Sequence, residues 1–189
     1  MINIKNEEQQ SKKRAKELWD KKIIDTIETG TTKGLQEIHK YLFQDLFPFA
    51  GEIRKVNLSK GNFRFASVLF LTQNLKIIEQ MPEETYEQII EKYVEMNIAH
   101  PFREGNGRAT RIWLDQMLKK NIKKCIDWSK IDKRDYLEAM ERSPVNTLEV
   151  KTLLKEALTD DINNKQVYLQ GIQQSYYYEN LSEYNMNDI

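Results

Sequence analysis

A segment of twelve residues in the middle of the chain combines side chains that suit phosphate chemistry. It runs from His100 to Arg111 and reads His-Pro-Phe-Arg-Glu-Gly-Asn-Gly-Arg-Ala-Thr-Arg. His100 is one of only two histidines, and imidazole is the side chain that gains or loses a proton near neutral pH. Glu104 supplies a carboxylate, the kind of ligand that Mg²⁺ uses beside phosphate groups. We interpret the segment as a site for a polyphosphate with a metal ion.

The glycine-rich part of this segment predicts an anion site. Gly105, Asn106 and Gly107 can bend tightly and expose backbone N–H groups, because glycine tolerates positive φ. The apolar pattern that follows predicts a helix over residues 108–120, and free N–H groups at a helix start attract anions. Arg108 and Arg111 are three residues apart, so they share a face near that helix start and could bind phosphate oxygens.

His100 precedes Pro101, and a residue before proline is biased away from helical geometry. We expect the preceding helix to end there and to leave His100 in a loop as a base for an incoming hydroxyl. Each feature also has a structural explanation of its own. A lone histidine is often structural, two helix arginines often form a solvated face, and Gly-Asn-Gly is often only a turn. The combination favours function.

The segment resembles the signature of the Fic family, H-x-F-x-[DE]-G-N-G-R-x-x-R, at all eight specified positions. The resemblance implies a compact helical bundle that usually transfers AMP from ATP to a protein hydroxyl. It also implies one role for each matching residue: His100 as the base, Phe102 as the loop anchor in the core, Glu104 as the Mg²⁺ ligand, Gly105, Asn106 and Gly107 as the anion nest, and Arg108 and Arg111 as binders of the outer phosphates. Doc-type kinases of the family depart at the Gly-Arg pair, so Gly107 and Arg108 favour attack at the α-phosphate.

A second match lies near the end of the chain, where Ser175-Tyr-Tyr-Tyr-Glu179-Asn180 fits the inhibitory motif [ST]-x-x-x-E-[GN] of the same family. The resemblance implies that Glu179 pairs with Arg111 and withholds it from the γ-phosphate. Ser175 and Glu179 are four residues apart, on one helix face. Without the upstream motif, this segment would read as an amphipathic tail helix. We also expect a hydroxyl beside this pair, first that of Tyr176, to acquire AMP when the helix end unwinds.

Residues 52–66 read as a hairpin, with extended runs on both sides of Ser59–Asn62. The family has such a hairpin, called the flap, over its active site, and the flap is thought to bind the target segment as an added strand. Lys60 and Gly61 at its tip are therefore expected near nucleotide and target. Asn97, shortly before His100, is a further candidate for nucleotide binding. The alternative is an ordinary surface loop.

Helical patterns dominate the remainder and predict an all-α class with this one small hairpin. The expected helices cover residues 11–27, 34–47, 67–80, 85–99, 132–140 (capped by Asp132), 148–158 and 163–180. His39 is expected at the surface or the edge of the core. The chain of 189 residues predicts a single domain over 1–189, with a core over 35–160 and a C-terminal inhibitory helix over 163–180.

The composition excludes several classes of protein. Lys plus Arg and Asp plus Glu each number 29, so no net charge attracts nucleic acid or a membrane surface. One cysteine, Cys125, excludes an internal disulfide, and we interpret it as structural. The polar N-terminus has no signal core, which predicts a cytoplasmic protein unless a specialised machine exports it. A homo-oligomer is compatible with all of this.

The sequence therefore predicts an autoinhibited adenylyltransferase that takes ATP and Mg²⁺, modifies a Ser, Thr or Tyr hydroxyl of a target protein and releases pyrophosphate. Two alternatives stay open. With Glu179 positioning a water, the same site could remove AMP from a modified protein, or permanent inhibition could leave a non-catalytic nucleotide-sensing interaction module. Some bacterial members of the inhibited class modify type II topoisomerase subunits, which makes such a subunit a family-level candidate for the target.

Overall fold

A computed structural model describes residues 3–189, so expectations that include Met1 and Ile2 lie outside the described residues at those two positions. The described chain is mainly α-helical, which confirms the predicted class. Its helices are α1 (Ile4–Asp20), α2 (Thr32–Phe43), α3 (Val68–Gln80), α4 (Tyr86–Ala99), α5 (Asn106–Ile122), α6 (Lys133–Arg142), α7 (Leu148–Glu156) and α8 (Lys165–Tyr178). Short 3₁₀ turns cover Ile24–Thr26, Trp128–Lys130 and Met186–Asp188.

Strands are few and short. β1 (Ser59–Lys60) and β2 (Phe63–Arg64) form the predicted antiparallel hairpin, with Lys60 opposite Phe63. The expected extended runs were longer than these strands, because residues 52–58 have no regular structure. A second antiparallel pair, β3 (Cys125–Ile126) with β4 (Leu158–Thr159), was not predicted. Two-residue strands leave no alternating pattern for a sequence to reveal.

Several helix ends follow directly from capping residues. Thr85 and Gln88 form a reciprocal capping box at the start of α4. Asp132 accepts hydrogen bonds from the backbone N–H groups of Arg134 and Asp135 at the start of α6, as predicted. These caps satisfy N–H groups that a helix start otherwise leaves without partners, which explains why the sequence placed these boundaries well.

Helix α5 runs through the centre of the bundle and packs against α2, α4 and α8. Its apolar residues are fully buried: Ala109, Trp113, Leu114, Met117 and Leu118. The first turn of α5 is therefore held on several sides by the core. This matters for function, because that first turn carries Arg108 and Arg111.

The N-terminal helix differs from the expectation. It begins at Ile4 rather than near Ser11 and ends at Asp20 rather than Ile27. The early turns are polar, yet Glu8 and Lys12 are almost fully buried and form an ion pair of 2.7 Å. An apolar pattern cannot reveal a helix whose buried face is polar, which is why its start was missed. Among the described residues no helix combines the length and apolarity that crossing a bilayer requires.

Candidate active site

The motif lies in the loop from α4 to α5 and continues into the first turns of α5. Helix α4 ends at Ala99, as the proline after His100 suggested, and His100 itself has a left-handed backbone (φ 50°) that the sequence did not predict. Phe102 is fully buried, in agreement with its predicted role as anchor. Asn106 ties the loop through its side chain, accepting from the N–H of Phe102 (2.8 Å) and donating to its carbonyl (2.7 Å). Its amide group thus supports the loop rather than facing a phosphate.

Gly105 and Gly107 are needed for close approach. Gly105 has φ 78°, and a Cβ there would lie 2.5 Å from the ring of Phe43. A Cβ on Gly107 would lie 2.5 Å from the Oε1 atom of Glu179. Among the described residues no side chain caps the start of α5. The Glu179 carboxylate therefore lies against the backbone at the helix start, where an anion would bind.

His39 is completely buried, so the expectation of a surface or core-edge position was wrong. Its Nδ1 accepts from the N–H of Gly51 (2.9 Å), so Nε2 carries the proton and donates to the carbonyl of Glu104 (2.7 Å). The ring also stacks on Phe102 at 3.8 Å. Burial lowers the pKa of His39 to about 4, which keeps it neutral at pH 7. His39 thus supports the motif loop from α2.

A sequence signal for this role exists. His39 follows Leu35 by four residues and precedes Leu42 by three, which places it on the apolar face of α2. A polar residue on an apolar face needs hydrogen-bond partners inside the protein. The loop atoms that supply them could not be named from the sequence.

The imidazole of His100 is held flat against the flap, here residues 52–66. It stacks on Phe65 with a centroid distance of 3.6 Å and an interplanar angle of 11°. Burial lowers the pKa of His100 to about 4, and the charges of Arg54 and Lys60 act in the same direction, whereas the carbonyl of Asn97 and the charge of Glu179 oppose them. A neutral imidazole at pH 7 can accept a proton.

Arg111 is buried and bound by the C-terminal part of α8. It donates to the hydroxyl of Ser175 (Nε, 2.7 Å), to the carbonyl of Ser175 (Nη2, 2.9 Å) and to Oε1 of Glu179 (Nη2, 2.9 Å). The contact that the resemblance implied is therefore present. Burial opposes ionisation of Glu179, but Arg111 keeps the pKa of this carboxyl below its ordinary value.

The residue after Glu179 explains the last position of the tail motif. Asn180 has φ 62°, a left-handed conformation that glycine and asparagine adopt most readily. The N–H of Leu181 then bonds back to the carbonyl of Tyr176 at 3.0 Å, which closes the helix end. This closure fixes Glu179 as the C-cap residue of α8.

Arg108 has a carboxylate partner that the sequence did not suggest. Its Nη1 lies 2.8 Å from Oε1 of Glu7 in α1, and its Nη2 lies 3.3 Å from Oε1 of Glu104. The guanidinium also lies over the ring of Phe43 at 4.8 Å. Its Nε has no hydrogen-bond partner within the described part of the chain. Glu7 and Arg108 are 101 residues apart, so no local pattern could have paired them.

Glu104 has a side chain that is 60% exposed, so its carboxylate is accessible to a bound ion. Within residues 3–189, no group of three or more His, Cys, Asp or Glu side chains could hold a metal by itself. A single carboxylate beside a phosphate site is the arrangement in which Mg²⁺ takes its other ligands from phosphate and water. Glu104 therefore fits the ion it was predicted to bind.

The remaining candidates lie in two places. Lys60 and Gly61 form the exposed tip of the flap, and Gly61 has φ 58° with open space where a Cβ would be. Asn97 is half-buried in the last turn of α4. Tyr176 is 1% exposed, whereas Tyr177 is 43% exposed. In the folded helix the hydroxyl of Tyr176 is thus enclosed, and its modification stays a prediction for an unwound end.

Three comparisons with known proteins agree with one another. The model of the Fic/DOC family matches residues 30–118. The chain is 30% identical over 138 residues to the probable protein adenylyltransferase Fic of Escherichia coli (strain K12), covering 65% of this chain and 68% of the relative. It is 35% identical over 107 residues to the protein of the same name from Salmonella typhimurium, covering 49% of this chain but only about half, 54%, of that relative.

Solved structures show the same fold. The N-terminal Fic domain of a putative cell filamentation protein from Bartonella quintana is 20% identical to this chain, with a TM-score of 0.64 over 79% of each chain. At this level of identity the likeness concerns the fold, and it agrees with the helical bundle described above.

Proposed function

The chain belongs to the Fic/DOC family, and from this premise we propose that it is a protein adenylyltransferase. It takes ATP and transfers AMP to a Ser, Thr or Tyr hydroxyl of another protein, with release of pyrophosphate. The observation that carries the proposal is the position of Glu179. This carboxylate contacts Arg111 and the start of α5 and also acts electrostatically on His100. One small region therefore contains a neutral base and an anion site.

The residues divide the reaction between them. The neutral ring of His100 takes the proton from the target hydroxyl. The target oxygen then forms a bond to the α-phosphorus, and the bond from that phosphorus to the bridging oxygen breaks, so that pyrophosphate leaves. Arg108, Arg111 and the N–H groups at the start of α5 hold the β- and γ-phosphates and stabilise the charge on the leaving group.

Glu104 would hold Mg²⁺ at the phosphates, and this ion would neutralise negative charge as the pyrophosphate leaves. The exposed carboxylate of Glu104 lies four residues before Arg108 and already contacts its guanidinium. An ion held there would compete with Arg108 for this carboxylate, and Glu7 would remain the carboxylate partner of Arg108.

We further propose that the protein is autoinhibited as it stands. Glu179 takes one N–H donor of Arg111 and lies against the backbone of Gly107. An ATP γ-phosphate needs the same guanidinium, so ATP cannot place its α-phosphate in line with the target oxygen. The second proposed phosphate binder, Arg108, is occupied in the same way, because its guanidinium pairs with Glu7 of α1.

The test compares two variants in one assay. The protein, its Glu179→Gly variant and the double variant Glu179→Gly/His100→Ala are each incubated with α-labelled ATP, Mg²⁺ and bacterial lysate. We expect strong labelling of protein with Glu179→Gly, weak labelling with the unmutated chain and none with the double variant. Equal labelling by the single and double variants would remove His100 from the mechanism and the proposed activity with it.

The finer assignments stay predictions. They are a type II topoisomerase subunit as the target, modification of Tyr176 in a released variant, a cytoplasmic location and assembly into a homo-oligomer. Mass spectrometry of the labelled lysate proteins identifies the target and distinguishes transfer to another protein from self-modification.

A further inference from the structure

Arg54 is a buried cation outside every motif described above. Its side chain donates to four backbone carbonyls: from Nε to His100 (2.7 Å), from Nη1 to Val56 (2.7 Å) and from Nη2 to Ala66 (2.5 Å) and Ala99 (3.0 Å). The residue is 3% exposed. Two of these acceptors belong to the end of α4 that delivers the base, and two belong to the two arms of the flap.

The surroundings of Arg54 are unusual for a charge. Among the described residues its guanidinium forms no ion pair with a carboxylate, and burial lowers its pKa. Burying a cation without an anion is costly unless oriented dipoles replace the water. Here the carbonyls at the end of α4 provide such dipoles, because the C-terminus of a helix favours positive charge. The planar fork of five N–H donors reaches all four carbonyls, which a lysine ammonium cannot do.

Further contacts join the same two parts. The backbone N–H of Arg54 bonds to the carbonyl of Pro101 (2.8 Å), and the N–H of Ala66 bonds to the carbonyl of Ile98 (3.0 Å). Phe65, next to Ala66, stacks on the ring of His100. Both arms of the flap are thus fastened to the loop around the base, and Arg54 is the only side chain in these contacts that bonds to both arms and to His100.

We propose that Arg54 is a positioning residue, which fixes the flap to the backbone of His100 and so sets where a target segment on the flap lies relative to the imidazole. The role of Arg54 in catalysis rests on the proposed function, since that role requires the flap to bind the target segment and His100 to act as the base. The fastening itself does not depend on it. Arg54 also favours the neutral form of His100, as does Lys60, whereas Glu179 opposes it.

The experiment uses Arg54→Lys, which keeps the charge but loses the fork, with Arg134→Lys at an exposed position of α6, outside the flap, as the matched control. Histidine-labelled NMR spectra are simple, because the chain has only two histidines and His100→Ala assigns them. Because the ring of Phe65 stacks on the imidazole of His100, we expect the His100 ring protons of the unmutated protein to be shifted upfield. We expect Arg54→Lys to lose this shift and Arg134→Lys to keep it.

The second part of the experiment measures AMP transfer from α-labelled ATP to lysate protein in the Glu179→Gly background. Adding Arg54→Lys should lower kcat about a hundredfold, the scale for a misplacement of about 1 Å, with KM for ATP nearly unchanged, because the phosphate binders are untouched. Arg134→Lys should change neither constant. A merely structural role would move KM, kcat and stability together.

The outcomes separate the two proposals. If the Glu179→Gly parent transfers no AMP, the proposed function fails while the ring shift still decides on Arg54. If Arg54→Lys keeps both the ring shift and the kcat of its parent, the positioning role is refuted. If Arg54→Lys does not fold, hydrogen exchange at the Arg54 Nε–H of the unmutated protein decides: slow exchange supports the bond to His100, and exchange as fast as that of exposed Arg134 overturns it.

Discussion

Removing the carboxylate of Glu179 is the most direct perturbation of the site. Glu179→Gly frees one Nη2 donor of Arg111, whereas Nε and the other Nη2 donor stay on the hydroxyl and carbonyl of Ser175 and Nη1 faces the hydroxyl of Tyr136 at 3.4 Å. A charge-assisted hydrogen bond of this kind is worth roughly 1.5–3 kcal/mol, which corresponds to about tenfold to a hundredfold in an equilibrium. If the proposed autoinhibition is correct, ATP is not in line with the target oxygen while Glu179 holds Arg111, and the rate of AMP transfer should rise at least by this factor.

The contact of Glu7 with Arg108 allows a second estimate of how much transfer should rise when a carboxylate is removed. This contact is also charge-assisted and is no more exposed than that of Glu179, since the two side chains are 16% and 26% exposed. Gln keeps an oxygen that can accept from Arg108, so Glu7→Gln removes only the charge and should raise transfer by about tenfold or less. Since Glu7 and Glu179 act on different arginines, the double variant should show the product of the two effects, unless both arginines must be free before ATP aligns.

The assay is transfer of label from α-labelled ATP at several ATP concentrations, with Glu183→Gln as the control. Glu183 lies in the same C-terminal segment, and within residues 3–189 its carboxylate pairs only with exposed Lys5, so its removal should leave the rate unchanged. Arg111→Ala also breaks the pair with Glu179 yet should stay inactive, because a phosphate binder is lost with it. If Glu179→Gly has the rate of the unmutated protein while transfer requires His100, the tail is structural and the inhibitory interpretation is refuted.

Three further predictions use the same protein. In a histidine NMR titration, His39 and His100 should remain neutral in the folded state down to about pH 5, because the folded pKa of each is about 4. Since this lies below the ordinary 6.5, each histidine lowers the free energy of unfolding by up to about 3 kcal/mol as the pH falls from 6.5 towards 4. A ring that titrates near 6.5 contradicts this. In a released variant, peptide mapping should find AMP on Tyr176 only if the end of α8 unwinds, whereas label confined to exposed Tyr177 would mean that the helix stays folded. Glu104→Gln should raise the Mg²⁺ concentration needed for half-maximal transfer about tenfold or more, and an unchanged requirement would move the ion elsewhere.

The sequence was sufficient wherever chemistry or capping is local. The motif from His100 to Arg111 could be interpreted because its residues are contiguous, and Asp132 marked a helix start because a cap acts within one turn. The contact between Glu179 and Arg111 was also anticipated, although 68 residues separate the two. That success came from the family resemblance, since no spacing rule joins residues so far apart.

The unpredicted β3–β4 pair is too short to leave a pattern, whereas three other misses share one physical cause, which is buried polarity. His39 lies on an apolar helix face and binds backbone atoms of a distant loop. Glu8 and Lys12 are buried as a pair, so the first turns of α1 look solvated in the sequence. In the sequence, Arg54 looked like an ordinary charged residue on one arm of the hairpin, and its burial was not predicted. In each case a distant backbone carbonyl or N–H group is a partner, and a hydropathy pattern contains no backbone groups.

The two ends of the chain are joined to each other as well as to the arginines. Lys12 of α1 donates to the carbonyl of Tyr184 at 2.6 Å, and Glu8 accepts from the N–H of the same residue at 2.9 Å. The ring of Tyr176 lies between Lys12 and Arg108, 5.5 Å from each cation. Displacing the whole of α8 would thus expose a buried ion pair as well as the ring.

A smaller movement frees Arg111 at much lower cost. Glu179 is the C-cap residue of α8, just beyond Tyr178, whose hydroxyl anchors the helix to the carbonyl of Ile131 at 2.9 Å. Fraying of the cap alone moves the carboxylate while both buried tyrosines stay in place. If only the cap of α8 frays, Arg111 loses its contact with Glu179, but the contact between Glu7 and Arg108 stays intact. If only α1 moves, Arg108 loses its contact with Glu7, but Glu179 stays on Arg111. A signal that acts on only one end of the chain should therefore activate the enzyme only in part.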